Sequence, residues 1–142
     1  MIREFQAGDL NRIMELWLET NIQAHDFISK GYWQAHFDEV MEVLPNASVY
    51  VYEDNGIIEG FIGLMNNYIA GIFISKDSQS RGIGRQLLHH VKENHKELSL
   101  KVYEKNQRAV NFYLKEGFLV TEKQEDRENA EVEYEMVWNG NY

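Results

Sequence analysis

From Gln79 to Arg85 the chain reads Gln-Ser-Arg-Gly-Ile-Gly-Arg, two glycines set among polar and cationic side chains. Glycine lets a backbone come close to a ligand and adopt conformations that a Cβ would forbid. Free amides at the start of a helix after such a loop would point at an anion. The geometry suits a pyrophosphate. The loop is not a Walker sequence, since no Gly-Lys-Ser/Thr follows. Nor is it a dinucleotide fingerprint, which needs a third glycine and a βαβ unit near the chain start. A tight turn with its glycines kept for packing would read the same way.

Charge separates these readings. The chain has 14 Lys+Arg against 23 Asp+Glu, a formal net of -9, which argues against a general nucleic-acid or anionic-membrane binder. Residues 76–115, however, hold nine Lys/Arg and four Asp/Glu, a local net of +5, and the other 102 residues carry -14. Positive charge is concentrated around the glycine loop and the elements after it, as a ligand with several phosphates would require. A solvated basic helix face is the plainer alternative.

Other chemistries have less to work with. Cysteine is absent, which removes disulfides, thiolate metal sites and a cysteine nucleophile. His89, His90 and His95 are poorly spaced for a shared metal, because adjacent helical residues point apart; no metal site is expected. No nucleophile elbow is present. No stretch approaches the roughly 18 to 20 apolar residues that span a bilayer, and Met1–Leu10 has no apolar signal-peptide core. A cytoplasmic protein is expected.

The 142 residues, 44% hydrophobic with a single proline, suggest one compact domain over 1–142. Ile2–Phe5 is a strand candidate. Leu10, Ile13, Met14, Trp17 and Leu18 recur at helical steps over Asp9–Thr20, with Asp9 at the positive first turn. A second helix is expected over Ile28–Val43, with Trp33, Phe37, Val40 and Met41 inward and Pro45-Asn46 ending it. Ser48–Tyr52 and Ile57–Met65, joined through Asn55-Gly56, form a predicted hairpin. Tyr68–Ser75 is the strand before the glycine loop, and Ile83, Leu87, Leu88 and Val91 mark the helix after it. Leu98, Leu100 and Val102 alternate as a strand; Asn106 caps a helix carrying Ala109, Phe112 and Tyr113, which Gly117 stops. Phe118–Thr121 and the alternating Val132, Tyr134, Met136 and Trp138 close the chain as two strands. The order βααβββαβαββ describes a mixed α/β (α+β) sheet.

Gln79-x-x-Gly82-x-Gly84, followed by Asn106-x-x-Ala109-x-x-Phe112-Tyr113-x-x-x-Gly117-Phe118, resembles the GNAT superfamily of acetyl-coenzyme A dependent N-acetyltransferases. The likeness is to small bacterial single-domain protein or lysine acetyltransferases, and the element order agrees from end to end. The resemblance implies a mostly antiparallel central sheet with helices on both faces. It implies that backbone groups of Ile72, Phe73 and Ile74 bind the pantetheine arm of acetyl-CoA. It lays the pyrophosphate across the amides of Gln79, Ser80, Arg81, Gly82, Ile83, Gly84 and Arg85, with side-chain contacts from Arg81 and Arg85.

Asn106 matches an asparagine that contacts the cofactor, and Tyr113 the tyrosine that protonates the leaving thiolate. A phenol with a pKa of about 10 is suited to that task. Tyr113 as a core aromatic beside Phe112 is the alternative. The implied reaction is direct attack by a primary amine on the thioester in a ternary complex, with backbone N–H near Phe73 holding the oxyanion.

His25 is the first candidate base, since imidazole titrates near neutrality; a surface or helix-capping histidine is the competing reading. Phe27, Trp33, Asn67 and Tyr68 are candidate acceptor-pocket residues, each also explicable as core or strand filling. The acceptor is expected to be a protein lysine or N-terminal amine, presented by a basic protein or peptide to the acidic remainder of the chain. Alternatives are a small amine such as a polyamine or aminoglycoside, or a catalytically weak acyl-CoA sensing module. Monomer and homodimer are both compatible with the sequence.

Overall fold

The structure is a computed structural model and describes residues 1–140. Its strands are β1 (Ile2–Glu4), β2 (Ser48–Asp54), β3 (Ile57–Met65), β4 (Tyr68–Ile74), β5 (Glu97–Tyr103), β6 (Leu119–Asp126) and β7 (Glu131–Asn139). Its helices are α1 (Leu10–Ala24), α2 (Lys30–Val43), α3 (Ile83–Lys92) and α4 (Gln107–Lys115), with three short 3-10 turns between elements. The expected order βααβββαβαββ is the observed one.

The seven strands form one sheet in the order β1-β2-β3-β4-β5-β7-β6. Every neighbouring pair is antiparallel except β4 and β5, which run parallel. The single parallel pair follows from the chain: the loop and α3 between β4 and β5 form a crossover, whereas antiparallel neighbours need only short turns. That pair is also the shortest, with only Tyr68↔Ser99 and Ile69↔Leu100 in register. Opposite β3, Gly63 pairs with Gly71 and Leu64 with Ile69, so Ala70 is an extra residue in β4. Such a bulge bends a strand and increases its twist. The bend coincides with the point where β4 leaves β5, and the sheet forks there.

Alternation sends side chains to two cores. On one face, α3 and α4 cover Ile62, Leu64, Ile69, Leu98, Leu100, Val102 and Met136. On the other, α1 and α2 cover Val49, Val51, Ile58 and Phe61. Leu87 and Leu88 of α3 are fully buried, and truncating either to alanine would destabilise the fold by about 2–5 kcal/mol. No helix among the described residues is long and apolar enough to cross a membrane.

Three of the boundaries that differ from the sequence reading have a visible cause. Helix α1 continues past Thr20 to Ala24, where Thr20 Oγ1 donates to Leu16 O and the buried Asn21 donates its Nδ2 to Trp17 O. These side chains bond back along the helix and do not end it. Helix α2 starts at Lys30 and not Ile28, because the Ser29 hydroxyl accepts the Tyr32 amide as an N-cap while Ile28 turns into the core. Strand β6 runs past Thr121 to Asp126: it is an outer strand whose polar side chains face solvent, so its backbone ladder to β7 continues without an apolar pattern.

Candidate active site

The fork between β4 and β5 opens into a groove of about 760 Å³. Ile72, Phe73 and Ile74 form one wall, the C-terminal turn of α1 another, and α4 contributes Asn106, Phe112 and Tyr113. The glycine loop closes the far end through Gln79, Ser80, Gly82, Ile83, Gly84 and Arg85. The sequence reading names these residues as cofactor contacts, except Phe112 and the α1 turn. Arg81 turns outward instead, with its guanidinium 3.6 Å from Glu59 and 4.0 Å from Asp54.

The loop is shaped by residues at positive φ, Ser80 at 67° and Gly82 at 80°. Gly82 occupies the N-cap of α3 in the left-handed region, which glycine reaches without a Cβ clash. The amides of Ile83, Gly84 and Arg85, in the first turn of α3, have no acceptor within the helix. They are the groups that could hold an anion, aided by the positive end of the helix dipole. Gln79 braces the loop by donating its Nε2 to Ile74 O at 3.1 Å and accepting Arg108 Nη1 at 2.9 Å. Arg108 also donates Nη2 to Ser80 Oγ at 3.0 Å.

Arg108 lines the groove and was not singled out in the sequence. One signal could have found it: a cation in the first turn of a helix works against the dipole, so its presence two residues after the Asn106 cap asks for a local anion. Arg85 is largely exposed, 3.6 Å from Glu116, a carboxylate that also meets His89 at 2.9 Å.

At the fork end, Tyr113 projects from α4 and lies among Phe112 and Phe118. Burial pushes its phenol well above the usual tyrosine range, and the Tyr68 phenol across the fork adds to the shift. Tyr113 is therefore a protonated donor through the physiological range. Asn106 caps α4, its Oδ1 accepting the Ala109 amide at 3.3 Å. Its Nδ2 lies 3.1 Å from His25 Nε2, and His25 Nδ1 lies 3.1 Å from Asn21 O.

A carbonyl can only accept, so Nδ1 carries the ring proton and Nε2 is the acceptor. Burial lowers the His25 pKa, partly opposed by the bond to Asn21 O. The first candidate base thus has both nitrogens engaged, which leaves it no lone pair for an incoming ammonium.

The candidate acceptor residues divide into two groups. Phe27 and Trp33 box His25: the Trp33 ring stacks on it at 5.2 Å and Phe27 meets it edge-on at 5.6 Å. Trp33 is buried and also packs on Trp17, so it supports the site from beneath. Asn67 and Tyr68 lie at the closed end of the fork, beyond the groove lining. Asn67 is exposed and its carbonyl accepts the Ser99 amide. The Tyr68 phenol is shifted up by burial and by Glu133 and Glu135 of β7. His89, His90 and His95 go separately to Glu116, the Tyr50 ring and Val91 O, and among the described residues no three potential metal ligands converge.

Comparison with known proteins gives the family and the fold of the chain. A profile of the acetyltransferase (GNAT) domain matches residues 19–138. The peptidyl-lysine N-acetyltransferase YiaC of Escherichia coli K12 is 40% identical over 124 residues, which span 86% of this chain and 85% of that one. Peptidyl-lysine N-acetyltransferase YjaB of the same organism is 32% identical over 125 residues, covering 87% and 85%. The solution structure of apo-form YjaB superimposes with a TM-score of 0.84 at 28% identity, covering 97% of this chain and 96% of that one.

Proposed function

The chain belongs to the GNAT family of acetyltransferases, and from that premise we propose that it transfers the acetyl group of acetyl-CoA to the ε-amine of protein lysines. The observation that carries this reading is the alignment, within one groove, of a β4 edge released from β5, a row of unpaired α3 amides and the Tyr113 phenol. An extended pantetheine arm would add to the free edge beyond Ile69 as a further strand does, through backbone groups of Ile72, Phe73 and Ile74. Its pyrophosphate would rest on the amides from Ile83 to Arg85, with Arg108 and Arg85 beside it.

The donor supplies an acetyl thioester poised for attack. The acceptor nitrogen bonds the acetyl carbon as the carbon–sulfur bond breaks, and Tyr113 gives its proton to the departing thiolate. Backbone N–H near Phe73 stabilises negative charge on the acetyl oxygen. The acceptor ammonium gives one proton to solvent before attack, and the second, lost from nitrogen as the amide forms, replaces the proton that Tyr113 gave to the thiolate. No covalent enzyme intermediate is needed, in keeping with a chain that has no cysteine.

Lysine is favoured as acceptor by the two relatives named peptidyl-lysine N-acetyltransferases and by charge. Glu122, Asp126, Glu131, Glu133 and Glu135 outnumber Lys101 on one face of the β5–β7–β6 part of the sheet, past the last β4–β5 pair. A cationic side chain would be drawn there. The test is a thiol-release panel of lysine peptides, polyamines, aminoglycosides and free amino acids. Turnover led by lysine peptides supports the reading; turnover of a small amine alone would exclude it, and tight acetyl-CoA binding with no product would indicate a sensing module.

A further inference from the structure

We propose that His25 is a positioning residue: its neutral ring latches the side-chain amide of Asn106 and so holds the α4 wall of the groove in a binding-competent form. The inference rests on the acetyl-CoA reading for its consequence, while the latch itself is a property of the free protein.

Each atom of the latch has one compatible role. Asn106 Oδ1 must accept the Ala109 amide, because that amide can only donate. The amide orientation is then set, and Nδ2 has two hydrogens to place. One goes to His25 Nε2 at 3.1 Å, leaving the second for the groove that both residues line. His25 is fixed in turn through Nδ1 to Asn21 O, and Asn21 is anchored by Nδ2 to Trp17 O. Trp33, Phe27 and Tyr103 pack against the imidazole at 5.2, 5.6 and 5.4 Å. The ring cannot turn away without vacating this box. The latch spans 81 residues of sequence and ties the C-terminus of α1 to the N-terminus of α4, across the mouth of the groove.

Protonating Nε2 would set two donors against each other and open the latch. The ionisable groups on the elements packed around it are Asp26 beside it in the chain, Tyr32 on α2, Tyr103 on β5 and Lys105 before α4. Tyr103 donates to Asp126, Tyr32 bonds Glu128, and Lys105 pairs with Glu131 while lying over the Phe27 ring. Because burial lowers the His25 pKa from 6.5, the stabilisation from the neutral ring is complete above that value. It is lost as pH falls through the lower folded-state value.

The test measures acetyl-CoA affinity by calorimetry in the wild type, His25→Phe and His25→Gln, with ¹⁵N NMR of the ligand-free wild type. Phenylalanine fills the box but accepts nothing; glutamine can offer Oε1 to Asn106. At about pH 7.5, His25→Phe should bind about five- to tenfold more weakly with kcat little changed, and His25→Gln should recover most of the loss. Wild-type affinity should fall toward that of His25→Phe as pH drops below 6.5 through the His25 titration, and the Asn106 side-chain amide signals should move with it.

An affinity untouched by His25→Phe with kcat reduced about 100-fold would make His25 a base and overturn the proposal. Equal weakening in both variants with no pH response would reduce His25 to packing and also overturn it. Should His25→Phe not fold, His25→Gln and the wild-type pH profile decide. If the wild type binds no acetyl-CoA, the functional reading falls, and the NMR titration alone decides the latch.

Discussion

The two ends of the groove are built in opposite ways. The loop end is made from consecutive residues, Gln79–Arg85, whose contribution is mostly backbone: a left-handed Gly82 and the open amides of α3. The fork end is assembled from α1, β4 and α4, through the side chains of Tyr113, Asn106 and His25. A diphosphate needs charge and amide donors, which tolerate many neighbouring sequences. Proton transfer to a thiolate needs one phenol in one place. The loop end should therefore act on affinity alone, whereas the fork end sets the rate through Tyr113 and supports affinity through the bond between His25 and Asn106.

Tyr113→Phe should break this division most sharply. It should lower kcat about 100-fold or more while leaving acetyl-CoA affinity within about twofold, read by single-turnover thiol release beside calorimetry. Because its phenol is held above the usual range, the wild-type rate should not decline as pH passes about 10, where an ordinary tyrosine would lose its proton. Gly82→Ala comes next. A Cβ at φ 80° should cost about 1 kcal/mol of stability and, by distorting the loop, weaken acetyl-CoA binding about tenfold at nearly constant kcat.

Arg108→Ala removes the bridge to Gln79 and Ser80 together with one cation at the loop. Affinity should drop about fivefold and become less salt-dependent, which a Kd series against ionic strength would show. Arg81→Ala is the smallest: with its guanidinium turned to Glu59 and Asp54, the effect on affinity should stay below about twofold. A larger loss from Arg81 than from Arg108 would reverse the assignment of the loop's cations.

The same contrast explains what the sequence could reveal. The glycine loop, the basic segment and every element of the sheet were legible because each is written in neighbouring residues, as glycine spacing, charge or periodicity. The fork was not, since it depends on a two-pair register between β4 and β5 and an unpaired Ala70, which no local pattern announces. His25 stood out by its chemistry, but a sequence cannot show both its nitrogens engaged by Asn21 and Asn106. Trp33 looked equally suited to a pocket wall and to a core, and its stacking beneath His25 decides for support. The sign of charge was legible only after division. The net of -9 conceals a segment of +5 around the groove, and Arg108 within it was visible as charge but not as a site.

The function proposed for the groove is acetyl transfer from acetyl-CoA to lysine. The most direct measurement is mass spectrometry of a lysine-containing peptide incubated with acetyl-CoA and either the wild type or Tyr113→Phe. Acetyl transfer to lysine through Tyr113 should give one acetyl group on the lysine with the wild type, at least about 100-fold slower accumulation with the variant, and no acetyl group on the enzyme when the peptide is omitted. An unmodified peptide in a mixture where a polyamine is acetylated, or equal rates for the two proteins, would contradict it.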